Sequence, residues 1–359
     1  MPLADYALVV GINVYPGLTP LQGAENDAQA FYDWVTDPNG GRVDPKNALL
    51  LLSSKFTPPP ADADDARPAK QQLEDFFTQI ENNAQKNNLP AEGLGLKTGN
   101  RFWMFLSGHG FAPSLSLSGV LMANAQRNIP HNFAGMLWAD RLYEGGWFDD
   151  VILFQDACRE RFPAADLNPP TLAKRDAPNG QTRRRFYAFS AKDKKLSKEI
   201  PMPQDGNKVR GVFSVTLLQG LRLARDPQTG SITTPQVRSY LQANMKTLLT
   251  PADLTDDEIA NMPEVFESEP FDLVAAPPPA PVSDFPVQIT VSTPGGAGKI
   301  LAGDLTKIVA QANPAPAVWP LRLPRGLYKV AVDGAGEQNF EITGALLPDG
   351  SKRQADVRV

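Results

Sequence analysis

Among the chain's 359 residues there is one cysteine, Cys158, and there are two histidines, His109 and His131. Any chemistry that needs a thiol and an imidazole therefore has a single nucleophile and two candidate bases. A thiol attacks a carbonyl only as the thiolate, and a neighbouring imidazole both promotes that state and protonates the departing amine. His109 sits in Ser107-Gly108-His109-Gly110 and Cys158 in Asp156-Ala157-Cys158-Arg159, each directly after an apolar run. The glycines beside His109 let a substrate backbone approach closely, and the amides of Gly110 and Cys158 are candidate donors to the oxyanion of a tetrahedral intermediate. A lone cysteine forms no internal disulfide and builds no cysteine-cluster metal site. His131 lies in a loop-like stretch without a partner motif and reads as an ordinary polar residue.

Two such motifs meet only if the elements before them lie side by side. Tyr6 to Ile12, Ala48 to Leu52, Phe102 to Leu106 and Val151 to Phe154 are continuous apolar runs of strand length. Asn26 to Val35 and Ala69 to about Gln85 alternate with them as helical segments. Strands apolar on both faces predict a mostly parallel sheet covered by helices, an α/β class. In such a sheet neighbouring strands lie about 4.8 Å apart and function gathers past their carboxyl ends. His109, Cys158 and the Gly23-to-Ala28 segment all fall there.

Further along, a polar, proline-bearing stretch runs from Arg159 to Arg185 before another strand at Phe186 to Ser190. Gly211 to Ala224 reads as an amphipathic helix, and Thr234-Pro235 caps and opens a second, Gln236 to Leu249. Phe271 to Val274 reads as the last strand of the first domain. The chain is thus predicted to divide into residues 1–274, a proline-rich linker over 275–286, and residues 287–359. In the last segment Val287 to Val291, Trp319 to Leu323, Leu327 to Val332, Asn339 to Thr343 and Ala355 to Val359 are short strands between turns, the pattern of a small immunoglobulin-like β-sandwich.

Composition narrows the function classes. Apolar residues at 42% and charged residues at 21% are ordinary globular usage, and a net charge of -5 gives no footprint for nucleic acid. No stretch approaches the roughly 18 apolar residues of a membrane helix, and the first residues lack a basic, apolar leader. A cytoplasmic protein without nucleic-acid or membrane partners is the expectation.

The strand-then-SGHG and strand-then-DAC pair resembles the caspase-like cysteine peptidases, and within them the metacaspases and prokaryotic caspase homologues. His109 and Cys158 are 49 residues apart, close to the spacing of about 50 seen in caspases. The resemblance extends to VVGINVYPGLTPLQGAENDAQAF, YAFSAKDKKLSKE and GVFSVTLLQGL, covering roughly residues 6 to 274. It implies a Cys-His dyad that cuts protein substrates through a thioester. It also implies a carboxylate-lined S1 pocket made by Asp27 and Asp156, which would favour Arg or Lys at P1, and a substrate-groove position for Ser190.

Calcium-dependent metacaspases are acidic after the catalytic histidine, but Phe111 to Asn128 here holds no acid. Because calcium needs several oxygen ligands, many of them carboxylates, calcium-independent activity with no cofactor or metal is the expectation. Lys174, Arg175, Arg183, Arg184 and Arg185 fall where caspases are cut between subunits and are candidate self-processing sites. Proteins with exposed Arg or Lys are the implied substrates, with room for an activating partner in a signalling or defence pathway. A second reading stays open, that of an adaptor whose caspase-like domain is latent or silent and whose β domain binds partners.

Overall fold

A computed structural model describes residues 3–56, 61–87, 97–114, 117–159, 166–177, 180–191, 197–202, 205–226, 229–248, 263–275, 284–302, 307–343 and 355–359. The chain forms two compact units, one of residues 1–218 and 241–271, the other of residues 219–240 and 272–359. Most of the expected linker, residues 276–283, lies outside the described set.

The first unit is built on a six-stranded sheet. Its strands are β1 (Ala4–Gly11), β2 (Ala48–Leu52), β3 (Gly99–Ser107), β7 (Asp150–Asp156), β8 (Arg184–Phe189) and β12 (Glu264–Glu267). Their order is β12-β8-β7-β3-β1-β2, with every pairing parallel except that of β12 to β8. The α/β reading and its mostly parallel sheet therefore hold. The strands run apolar because both faces are covered. Tyr6, Leu8, Val10, Phe102, Met104 and Leu106 share one cluster with Leu73, Phe77 and Ile80 of α2 (Lys70–Asn87) and Trp138 and Leu142 of α3 (Gly135–Glu144). On the other face Phe31 of α1 (Ala24–Thr36) stacks on Phe105 with centroids 4.7 Å apart and meets Trp103 and Phe154 edge-on. Each such aromatic pair adds about 1 kcal/mol beyond area burial. The contacts of Phe31 fix α1, and with it Asp27 one turn earlier.

The sixth strand departs from expectation. Phe271 to Val274 does not extend the main sheet: β13 (Asp272–Val274) pairs with β11 (Ile232–Thr233) in a two-stranded sheet, and β12 takes the edge. β12 reads Glu-Val-Phe-Glu and is half-buried throughout, so it lacks the doubly apolar signature of the interior strands. Three short elements also lacked a signal: the sheet of β4 (Gly110–Ser114), β5 (Leu117–Leu121) and β6 (Asn132–Phe133), the helix α3, and the hairpin of β9 (Glu199–Met202) and β10 (Lys208–Gly211). The helix α4 (Val212–Leu223) follows β10 directly.

α5 (Thr234–Asn244), whose residues up to Tyr240 belong to the second unit, begins where the Thr233 amide and hydroxyl donate to Gln236 Oε1 at 2.7 and 3.1 Å, one residue earlier than the Thr234 cap expected. Leu223, Ala224 and Tyr240 pack with Leu327. The remaining strands are β14 (Phe285–Thr290), β15 (Gly298–Ala302), β16 (Lys307–Ala312), β17 (Val318–Leu323), β18 (Gly326–Val332), β19 (Gly336–Ile342) and β20 (Ala355–Arg358). They form a three-stranded sheet, β17-β14-β20, and a four-stranded one, β16-β15-β18-β19, whose inward residues share one apolar cluster including Ile289, Trp319, Ile300 and Val330. Among the described residues no helix is long and apolar enough to cross a membrane.

Candidate active site

The register of β3 on β7 sets the depth of the two chemical residues. Ser107 is paired with Asp156, so His109 and Cys158 each lie two residues past the same rung on neighbouring strands. The Gly108 amide bonds the Asp156 carbonyl at 3.3 Å, continuing the ladder beyond the strand ends. Gly110 then crosses so near Cys158 that a Cβ there would stand 2.5 Å from the Cys158 carbonyl oxygen and 2.7 Å from the Ala157 Cβ. Only glycine fits this approach.

His109 is held at three points. Its amide donates to the Tyr15 hydroxyl at 3.0 Å, and that hydroxyl donates to the Leu121 carbonyl at 3.2 Å. Its carbonyl accepts from the Leu121 amide at 2.8 Å, tying it to the β4–β5 hairpin. Its ring lies 4.8 Å from that of Tyr15 and places Nε2 2.7 Å from the Thr19 carbonyl oxygen. A carbonyl only accepts, so Nε2 is the donor here and Nδ1 is the acceptor nitrogen of the neutral ring.

Cys158 is partly exposed, and the Ser197 amide points at its sulfur at 3.4 Å, a contact that favours a thiolate. On its far side the buried Arg159 guanidinium pairs with Glu264 of β12, lies 4.9 Å from the Phe189 ring and reaches the Ala191 carbonyl. Ser190 is 1% exposed, and its hydroxyl accepts from the Ala157 amide and donates to the Ala157 carbonyl, each at 3.2 Å. It braces the backbone before the cysteine, where a substrate-groove contact was expected. His131 is engaged through its backbone with Met122 and Ile129.

Asp27 and Asp156 converge. A Cβ on Gly211 would stand 2.1 Å from Asp156 Oδ2 and 2.9 Å from Asp27 Oδ2, so the glycine of β10 separates the two carboxylates. Asp156 accepts from the Ser197 hydroxyl at 2.5 Å and from the Ser214 hydroxyl and amide at 2.6 and 3.2 Å. Burial raises its pKa and those donors draw it back. Asp27 accepts from Arg210 Nε at 2.5 Å and from the Gly211 amide at 2.7 Å. Burial lifts its carboxyl well above the usual range, the Asp156 charge adds to the lift, and Arg210 opposes it.

A third acid, Glu199, was not singled out from the sequence. It pairs with Gly211 across the β9–β10 hairpin, and its carboxylate bonds the Gln22 amide at 3.4 Å. Burial raises its pKa first, the Gln22 and Gly23 amides lower it, the Asp156 charge raises it and His109 lowers it. Its one sequence signal was membership of the Tyr187-to-Glu199 stretch. Tyr15 and Thr19 likewise lay within a recognised stretch, but their roles depend on loop geometry.

The basic residues between β7 and β8 are mostly tied down. Arg184 and Arg185 open β8 and pair with Asp150 and Asp140 at 2.7 and 2.8 Å. Arg183 bonds the Tyr143 and Glu144 carbonyls, and Arg175 lies 3.5 Å over the Trp147 ring. Lys174 is exposed outside regular structure.

A family model described as a caspase domain matches residues 4–270. The chain belongs to the caspase family. The match ends just before β13. A probable protease from a Desulfuromonadales bacterium is 30% identical over 235 residues, which are 61% of this chain and 26% of that protein, so the chain spans about a quarter of that relative's length. A crystal structure of a Geobacter sulfurreducens protein is similar at a TM-score of 0.40 and 17% identity, over 77% of this chain and 95% of the other.

Proposed function

We propose that the caspase domain is an endopeptidase that cuts after Arg or Lys, with Cys158 as nucleophile and His109 as its base. The observation that carries this reading is the shared depth of the two residues past the Ser107–Asp156 rung, beside the converging carboxylates of Asp27 and Asp156. His109 Nδ1 takes the thiol proton as Sγ attacks the scissile carbonyl carbon. The Gly110 and Cys158 amides hold the oxyanion. Collapse breaks the C–N bond, the imidazolium gives its proton to the leaving amine, and a thioester remains on Sγ. Water, deprotonated by the same imidazole, attacks the thioester, releasing the carboxylate product and the thiol.

Carboxylates gathered in a partly dry slot favour guanidinium or ammonium and repel an acidic P1 residue. The same reading takes proteins with accessible Arg or Lys as substrates. It needs no calcium, because the Phe111-to-Asn128 stretch supplies no acid. If the enzyme processes itself, exposed Lys174 is the favoured cut. The strands from β14 to β20, read as an immunoglobulin-like sandwich, are assigned to binding an activating protein partner. A scan of peptides varied at P1 tests the central point: cleavage after Arg and Lys but not Asp is expected, and cleavage after Asp but not Arg would refute it.

A further inference from the structure

Arg210 is 8% exposed and lies on the strand that carries Gly211, the residue between the two pocket aspartates. Its Nε holds Asp27 Oδ1 at 2.5 Å and its Nη1 holds Asp205 Oδ2 at 3.0 Å. The next amide, Gly211, holds Asp27 Oδ2 at 2.7 Å. Both oxygens of a carboxylate that is 0% exposed are thus taken by two successive residues of the protein itself. The backbone is pinned in the same place, since the Asn26 side-chain amide donates to the Val209 carbonyl at 3.0 Å. Separating a buried ion pair is strongly unfavourable, so a substrate cation would have to displace Arg210 before touching Asp27.

The other two acids are held differently. Asp156 accepts from the neutral hydroxyls of Ser197 and Ser214 and one amide. Glu199 accepts from backbone amides at Gln22 and Gly23. Neutral donors orient a carboxylate without cancelling its charge, whereas a guanidinium cancels it.

We propose that Arg210 is a resident occupant of the acidic pocket: it takes Asp27 out of substrate recognition and leaves Asp156 and Glu199 to read the P1 cation. The assignment rests on the basic-P1 reading above. In it Asp27 is a positioning residue that locks β10 and Gly211 against α1.

The test compares peptides with P1 Arg and P1 citrulline, which share a shape but not a charge. Wild type, Glu199→Gln and the double variant Asp27→Asn with Arg210→Gln are measured as the Arg-to-citrulline ratio of kcat/KM. The double variant replaces the ion pair by an amide pair of similar shape. It is expected to keep the ratio within about threefold of wild type whatever its absolute rate, while Glu199→Gln lowers the ratio tenfold or more. A tenfold fall in the double variant would overturn the proposal. Equal cleavage of both peptides by wild type would instead remove the basic-P1 reading, and the assignment with it.

A crystal structure of the wild-type chain alkylated at Cys158 by a peptidyl-arginine chloromethyl ketone gives a second answer that needs no variant to fold. Arg210 still on Asp27, with the inhibitor's guanidinium at Asp156 and Glu199, supports the proposal. The inhibitor's guanidinium on Asp27 with Arg210 displaced overturns it.

Discussion

His109 and Cys158 stand past the ends of adjacent strands and owe their shared depth to one register. The acidic pocket proposed beside them draws Asp27 from α1, Asp156 from β7 and Glu199 from β9, with the glycine between the aspartates lying 184 residues beyond Asp27. The proposed dyad therefore depends on the central sheet alone, while the proposed pocket also depends on α1 and on a two-stranded hairpin. A site assembled this way can keep its chemistry while its specificity changes.

That contrast sets the order of the expected effects. Replacing His109 by Ala removes the base and should lower kcat on a P1 Arg peptide about 10³-fold with little change in KM. Steady-state kinetics decide it, and a loss of tenfold or less would show that another group serves as base. Next comes Gly110→Ala, whose added methyl has to move the Cys158 carbonyl. It should cost about 10²-fold in kcat, as misplacements near 1 Å do. An active Gly110→Ala enzyme would mean that the close approach is dispensable.

The smallest effect falls on the pocket. Glu199→Gln should lower kcat/KM for P1 Arg about tenfold and leave kcat nearly intact. Because burial raises the Glu199 pKa, the carboxylate takes up its proton at a higher pH than the ordinary value of about 4.3. Affinity for a cationic side chain should therefore fall as pH is lowered, beginning above that value. The variant should lose this part of the acid limb, and an unaltered limb would place Glu199 outside the pocket. The sign for stability is opposite. An acid that binds its proton more tightly folded than unfolded stabilises the fold at low pH, and the contribution is lost as pH rises through its raised pKa. Glu199→Gln should thus raise the Tm at neutral pH and flatten its pH dependence.

How much of this was legible follows from the same contrast. β1, β2, β3 and β7 are apolar on both faces and announced themselves, and β2 begins and ends where the sequence placed it. Cys158 and His109 were found because each follows such a strand and the chain offers so few alternatives. β12 was missed because an edge strand with glutamates at both ends carries no such pattern. The β9–β10 hairpin was missed because Glu-Ile-Pro-Met and Lys-Val-Arg-Gly are short, polar and interrupted by Pro201, and Glu199 and Arg210 were missed with it. Asp27 was read as a pocket acid from its motif, but its ion pair with Arg210 exists only through tertiary contact.

The proposed peptidase mechanism rests on Cys158 as the nucleophile, and the most direct measurement compares wild type with Cys158→Ala on one P1 Arg fluorogenic peptide at equal protein concentration. The account predicts that the variant, folded as judged by an unchanged circular dichroism spectrum, retains no turnover above buffer, a loss of at least about 10³-fold. Cleavage by Cys158→Ala at the wild-type rate would contradict it.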